Sequence, residues 1–508
     1  MLNRDGLPLF EQINEKHISP AVNAVLKDNR LIIKKVESNK EDPNWQNFVS
    51  PLQKSNEKLS RVWSQINHLN SVVNNETLRV IYNKNLTKIT KYHSELSQNK
   101  LIYKKFLKIK SGRYYQKLTV PQKKIIVDEI LGFELGGVGL DSTKKSEFKK
   151  IISRLSKLSA SFEENLLDSV NNYSLLIKDK NRLKGIPRDV LVKAKIDAKL
   201  QKKSGWVFSL NFPSYMPVMQ YADDRELRKQ IYYAYATKAS DLSDKNEDNT
   251  DNINKILLNK QRLANLLGFS DYASMALTTK MANSSKEVIN FLEDLANKAK
   301  PFASKDMNDL INYGHKLNIN DIEAWDIAYL SEKIKEERFN YSEQEIKSYF
   351  PDHKVIDGLF KVVENIYGIF IKKEITEVWH KDVKFYKITN KSGELIGHFY
   401  LDLYARKSKR GGAWMDEAIS KFKFNNKATH PVAYLTCNFS EPVHNNVSLL
   451  THDEVITLFH EFGHGLHHLL TEINDYGVSG IQGVEWDAVE LPSQFMENFC
   501  WEWSVIKN

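Results

Sequence analysis

The 508-residue sequence predicts a mainly α-helical protein with one small antiparallel β-sheet, an α+β arrangement. Three observations predict it. Apolar residues recur at helical spacing over most of the chain. Between residues 383 and 439 the period shortens to two. A strongly capped apolar helix follows that region directly.

Residues from about 8 to 200 read as long amphipathic helices with polar outer faces, among them 44–70, 76–110 and 143–178. WVFSLNFP (206–213) reads as a strand ending in a proline turn and marks a transition. The expected division is therefore a helical lobe over 1–204 and a second domain over 205–508. The polar run 243–255 reads as a surface loop or helix start, and helices resume from about 254 to 370. VKFYKIT (383–389), the turn NKSGE (390–394) and LIGHFYLDLY (395–404) form an expected hairpin, with VAYLTCNF (432–439) as a further strand. Thr451 and Glu454 make a capping box that starts the next helix. Val455, Phe459, Phe462, Leu466 and Leu469 then form its core stripe, and the helix should end near Leu470. Beyond Glu490 lies a second apolar-rich helical segment with Phe495, Met496, Phe499 and Trp503. Pro492 confines Glu490 to the first turn or a kink. No internal repeat or extended low-complexity tract is visible.

His460, Glu461 and His464 stand at HExxH spacing on the first of these helices. Residues four apart share a helix face, so the two imidazoles can converge on one metal ion while Glu461 holds a metal-bound water. Both histidines border the apolar stripe, which suits a site sunk in a cleft. Zinc is the expected ion, although cobalt or manganese also accepts such ligands. A third protein ligand is needed. His467 shares the face but lies about 10.5 Å further along the axis than His460, too far for a shared ion, so its expected role is packing or support of a ligand. Glu490 is the better candidate on spacing, with Glu485 and Asp487 as rivals. A small sheet directly before an HExxH helix is what a zincin-type site needs, since an edge strand can bind an extended peptide through its backbone.

Two glycine-bearing loops remain open between a site and a connector. In RKSKRGGAW (406–414), Gly411 and Gly412 permit close backbone approach, and Arg406 or Arg410 can meet a substrate carboxylate. The glycines of 477–483 can make a mobile loop over the cleft or join two helices.

The net charge of +9 raises nucleic acid as a partner, but the lysines are dispersed among acidic residues and no recognised nucleic-acid module is evident. Clusters such as Lys144–Lys150 read as solvated helix faces. Two cysteines, Cys437 and Cys500, give no disulfide framework and suit a reducing cytoplasm. The N-terminus lacks a continuous apolar core and no run of 18 apolar residues occurs, so neither a signal peptide nor a membrane span is expected.

A resemblance sharpens these readings. PVAYLTCNF, THDEVITLFHEFGHGLHHLLT and GVSGIQGVEWDAVELPSQFMENFCWE, between Pro431 and Glu502, resemble the thimet oligopeptidase family of zinc metallopeptidases. So do GVGLD (137–141), FPSYMPVM (212–219), LLGFSDYASMALTTKMA (266–282), AWDIAYLSEK (324–333) and FYLDLYARKSKRGGAWMD (399–416), so most of the chain is covered. The resemblance implies a zincin-type, two-lobed helical metallopeptidase with a deep substrate channel. It implies one Zn2+ per chain on His460, His464 and Glu490, with Glu461 as general base. It places both glycine loops near the active site. The implied substrates are short unstructured peptides cut at internal bonds, with folded proteins excluded by size, in a cytoplasmic enzyme expected to be a monomer. Members of the family continue into a Gly-rich stretch carrying His and Tyr that contacts substrate. Asn508 lies 18 residues beyond Glu490, so the expectation is a partial sequence lacking that stretch. The alternatives are a zinc-stabilised peptide-binding form with impaired catalysis, and a metallohydrolase acting on non-peptide substrates.

Overall fold

The computed structural model of the protein describes residues 1–2, 6–424, 427–442 and 447–507. Helices dominate, with small sheets between them. The N-terminal part is built from Glu15–Ser38, Ser50–Val72, Glu76–Ser97, Lys100–Ser111, Val120–Leu135 and Ser142–Asn172. Polar caps set the breaks that apolar periodicity missed. The stretch expected as one helix over 76–110 divides at Asn99, whose side chain accepts from the Leu101 and Ile102 amides and restarts the chain. The last of these helices ends at Asn172, short of the expected 178, and the chain passes into strand β1, Leu175–Ile177.

β1 pairs antiparallel with β2, Trp206–Phe208. The expected strand over 206–213 is thus confined to its first three residues. Pro213 opens the helix Phe212–Tyr221 instead of closing a turn. Proline is well placed in a first helical turn, where its missing N–H would have no partner in any case.

The main sheet contains β3 (Phe370–Glu374), β4 (Lys384–Thr389), β5 (Leu395–Tyr404), β6 (Trp414–Ile419) and, after the short hairpin strands β7 (Phe422–Phe424) and β8 (Lys427–Thr429), β9 (Val432–Phe439). Its strand order is β3-β4-β5-β9-β6. The pairings β3–β4, β4–β5 and β6–β9 are antiparallel, the second being the expected hairpin, whereas β5 and β9 run parallel, against the expectation of a wholly antiparallel sheet. The parallel pair arises because β9 inserts between β5 and β6. That central position buries both its faces, and so VAYLTCNF reads as a nearly continuous apolar run and not an alternating one. β3 and β6 lie at the edges, and their sequences FIKKE and WMDEAI lack the apolar alternation that marks a strand.

Side-chain alternation divides the sheet into two buried faces. Phe399, Leu401 and Leu403 of β5 and Ala433, Leu435 and Cys437 of β9 pack against Phe459, Phe462 and Leu466 of the HExxH helix, and against Leu359 and Phe360 of the helix Asp352–Tyr367. On the other face, Tyr400, Val432 and Tyr434 pack against Ile18, Val22, Val62 and Ile66 of the N-terminal helices. One sheet therefore supports the motif helix on one side and is braced by N-terminal helices on the other. Among the described residues, no helix is long and apolar enough to cross a membrane.

Candidate metal centre

The HExxH helix spans His452–Leu469. Its capping box forms as the sequence predicts: Glu454 donates its amide to Thr451 Oγ1 (3.1 Å), and the Glu454 carboxylate accepts from the Thr451 amide (2.8 Å). All five residues of the expected core stripe are buried. The stripe fixes the rotation of the helix on the sheet, and that rotation sets where the histidines stand.

The third candidate ligand, a carboxylate, arrives on a short helix, Leu491–Glu497, with Glu490 at its N-cap and Pro492 in its first turn. Ser493 Oγ donates to Glu490, lying 2.8 Å from both the backbone oxygen and Oε2. The two helices meet at a glycine. A Cβ on Gly463 would stand 2.5 Å from the Pro492 carbonyl oxygen and 2.6 Å from Ser493 Cα, so only glycine permits this approach. The next glycine, Gly465, packs on β9 with Leu435 Cδ2 3.0 Å from where its Cβ would be.

Glu490 Oε2 lies 3.1 Å from His460 Nε2 and 3.1 Å from His464 Nε2. One donor atom from each of the three residues falls within 4.8 Å of the others. Donors placed tetrahedrally about one zinc at 2.0–2.1 Å stand roughly 3.4 Å apart, and the two separations from Glu490 lie within tenths of an ångström of that spacing. Electrostatics agrees with the donor chemistry. Burial pulls the pKa of His464 down against the pull of Glu490, which favours the neutral imidazole a metal requires. For Glu490, burial acts upward, but the Ser493 hydroxyl and then the two imidazoles hold the carboxyl below its usual value.

Glu461 is buried beside this trio, and its Oε2 has no hydrogen-bond partner among the described residues. Burial pushes its pKa up to about 7, with Glu490 adding to the rise while His460 and the Met415 amide oppose it. An orphaned, buried carboxylate oxygen carries a free-energy penalty unless a further group binds there. Met415 belongs to β6, so the edge strand runs directly beside the carboxylate.

The rival carboxylates are engaged elsewhere. Asp487 accepts from the Met281 and Ala282 amides at 3.0–3.1 Å, and Glu485 pairs with Lys124 at 3.5 Å. His467 stands outside the trio, half-buried, with burial lowering its pKa. A contact that sequence reasoning missed is Glu497, whose Oε1 lies 2.6 Å from His460 Nδ1. Its spacing of seven from Glu490, two helical turns, was the available signal.

The loop 406–414 is anchored and not free. Arg406 places Nη1 and Nη2 each 2.7 Å from the Asp402 carboxylate, and Nη2 also donates to the Val72 carbonyl. The Arg410 guanidinium lies 4.5 Å from the centre of the Trp414 ring, and its amide donates to Ser71. Gly411 and Gly412 are exposed, and Gly412 adopts a φ of +86° that suits glycine. Asn438 Nδ2 donates to the Arg410 and Gly412 carbonyls. None of these four loop residues is hydrogen-bonded to the trio, but their loop feeds directly into β6. The 477–483 loop is pinned as a connector. Gln482 donates to Glu417 of β6 at 2.8 Å, and Gln53 donates to the Tyr476 carbonyl just before the loop at 2.6 Å.

Helical layers on a mixed sheet thus place an edge strand beside an HExxH helix, and comparison with known proteins gives the class, a peptidase. The model of peptidase family M3 matches residues 218–508, and that of the neurolysin/thimet oligopeptidase N-terminal domain matches residues 22–145. The chain belongs to peptidase family M3, among the thimet oligopeptidases. It is 43% identical over 507 residues to oligopeptidase A of Salmonella typhimurium, covering 99% of this chain and 75% of that protein. To oligopeptidase A of Escherichia coli it is 43% identical over 501 residues, 98% of this chain and 74% of that protein. Dipeptidyl carboxypeptidase of E. coli is more distant, at 27% over 499 residues, 97% of this chain and 72% of that protein.

Proposed function

We propose that this peptidase is a zinc-dependent endopeptidase of the oligopeptidase A kind, cleaving internal bonds of short unstructured peptides. The observation that carries the reading is the convergence of His460, His464 and Glu490 next to a buried carboxylate, Glu461, that has an unpartnered oxygen. His460, His464 and Glu490 would hold one zinc ion. When bound, zinc supplies Lewis acidity, polarising the scissile carbonyl and lowering the pKa of a water towards roughly 7. Glu461 takes the proton from the attacking water and passes it to the leaving amine, and its elevated pKa suits a group that must both accept and release a proton near neutrality. The outer side of β6 would bind an extended peptide through backbone hydrogen bonds, which demand little of its sequence.

The reading includes a helical lobe over 1–204 and a catalytic domain over 205–508, with a channel between them. A cavity of about 1100 Å³ lies between the two stretches, lined by Lys193 and Asp197 from the first and Lys347, Arg406 and Phe439 from the second; His460, Glu461, His464 and Glu490 are not in its lining. It also includes a monomer in the cytoplasm without nucleic-acid or membrane partners. The unpaired, buried Cys437 and Cys500 are consistent with that compartment.

Glu461→Gln tests the mechanism. It should retain zinc and lose cleavage of quenched fluorescent peptides by at least about 100-fold, the typical worth of a positioned acid–base group. Undiminished turnover would remove Glu461 as the base. Tight zinc without turnover in the wild-type chain would favour a zinc-stabilised peptide-binding protein.

A further inference from the structure

We propose that Glu497 is a positioning residue that presets His460 for metal binding. It holds the imidazole in the tautomer with its proton on Nδ1 and so presents the Nε2 lone pair to the ion. The inference rests on the zinc reading above and adds a residue and a role to it.

An imidazole binds a metal through a nitrogen without a proton, and in the neutral ring only one nitrogen is free. His460 Nδ1 faces Glu497 Oε1 at 2.6 Å, while its Nε2 faces Glu490 Oε2 at 3.1 Å. An ionised carboxylate only accepts hydrogen bonds. With an ion on Nε2 the ring keeps one proton, and that proton sits on Nδ1, where Glu497 Oε1 stands ready to accept it. The remaining nitrogen is the one that joins the trio.

The arrangement is built into the backbone. Glu490 and Glu497 are two turns apart on one short helical segment, so that segment grips both sides of the same ring. The segment is fastened at both ends. Gly463 admits Pro492 and Ser493 into contact at one end, and at the other His452 Nε2 lies 2.9 Å from the Cys500 carbonyl oxygen. These contacts hold the backbone of Glu497 beside His460. The two histidines also differ. Among the described residues, the carboxylate paired with His464 is Glu490 alone, whereas His460 has a second carboxylate at its other nitrogen.

The test uses the full chain with Glu497→Gln and Glu497→Ala. Zinc affinity is read by competition with a chromophoric chelator, and the His460 tautomer in zinc-free protein by 15N NMR of labelled histidine at a pH high enough to leave the ring neutral. Glu497→Ala should weaken zinc about 10- to 100-fold, the usual worth of a carboxylate behind a ligating histidine. Glu497→Gln keeps a carbonyl acceptor and should recover most of that loss. The wild-type ring should carry its proton on Nδ1. A helix fastener and nothing more would lower thermal stability yet leave the affinity of the folded protein unchanged, and that result overturns the proposal. So does a wild-type tautomer protonated on Nε2. Should Glu497→Ala fail to fold, the Gln variant and the wild-type tautomer still decide. If the wild type binds no zinc, the zinc reading fails, and the tautomer alone decides the role of Glu497.

Discussion

At Gly463, the absence of a side chain sets the geometry of the whole site. In isolation, alanine is the better helix former by about 1 kcal/mol. Here the added carbon would strike the Pro492 carbonyl oxygen and Ser493 Cα, which are backbone atoms that move only if Glu490 moves with them. Gly463→Ala is therefore expected to lower both the thermal midpoint and zinc affinity, against the trend of helix propensity. Calorimetry with and without zinc checks it, and a midpoint at or above wild type would show that the helices can part at no cost. The ligating histidines were legible at this scale because their spacing is local and one helix guarantees a common face. Glu490 could be ranked by spacing, while Glu485 and Asp487 were set aside by partners distant in sequence, Lys124 and the backbone of Met281 and Ala282.

At the level of elements, the helix Ser50–Val72 is docked on the sheet through His68. The ring stacks on Tyr434 with centroids 3.8 Å apart and meets Trp379 edge-on at 4.1 Å. Neither ring nitrogen has a hydrogen-bond partner among the described residues. Burial pulls its pKa down from 6.5 to about 3; Asp402 acts upward, and Lys409 and Arg406 act downward. The unfolded chain then binds a proton that the folded chain refuses. Stability is intact above 6.5 and is lost as the pH falls towards about 3, by up to about 1.4 kcal/mol per pH unit. His68→Phe should remove this component, so the stability difference between variant and wild type should shift in the variant's favour as the pH drops. Urea unfolding across the acid range measures it, and parallel curves would refute it. Strands β4, β5 and β9 were readable because their side chains sit at the centre of the sheet and must be apolar. Edge strands β3 and β6 carry polar residues, and the insertion of β9 beside β5 depends on pairings that no local pattern encodes.

For the molecule as a whole, the least expected feature is the helix Ser285–Lys316. Its pattern is that of an amphipathic element with an apolar face to bury, yet Ile289, Leu292, Leu295, Phe302 and Met307 are exposed, Phe302 at 71%. Several exposed apolar side chains along one helix offer a binding surface to apolar dyes. The protein should enhance anilinonaphthalene sulfonate fluorescence while fully folded. The double substitution Leu295→Glu and Phe302→Glu should reduce that signal with little change in the thermal midpoint, because the native state gains nothing from burying these side chains. A large loss of stability in the double variant would show that the face is covered in solution. Periodicity reveals that a face is apolar, but what lies against it is a property of the complete packing.

The amino-acid sequence by itself determined the donor chemistry, the capped helix that displays it and the central strands, because each follows from contacts between residues near in the chain or from burial at the sheet centre. Only the tertiary structure decided which carboxylate meets the two imidazoles, that Glu497 stands behind His460, and that β6 runs beside Glu461. Those relations depend on how segments 30 or more residues apart cross, and crossing is set by close packing at points such as Gly463, where one carbon atom is too many.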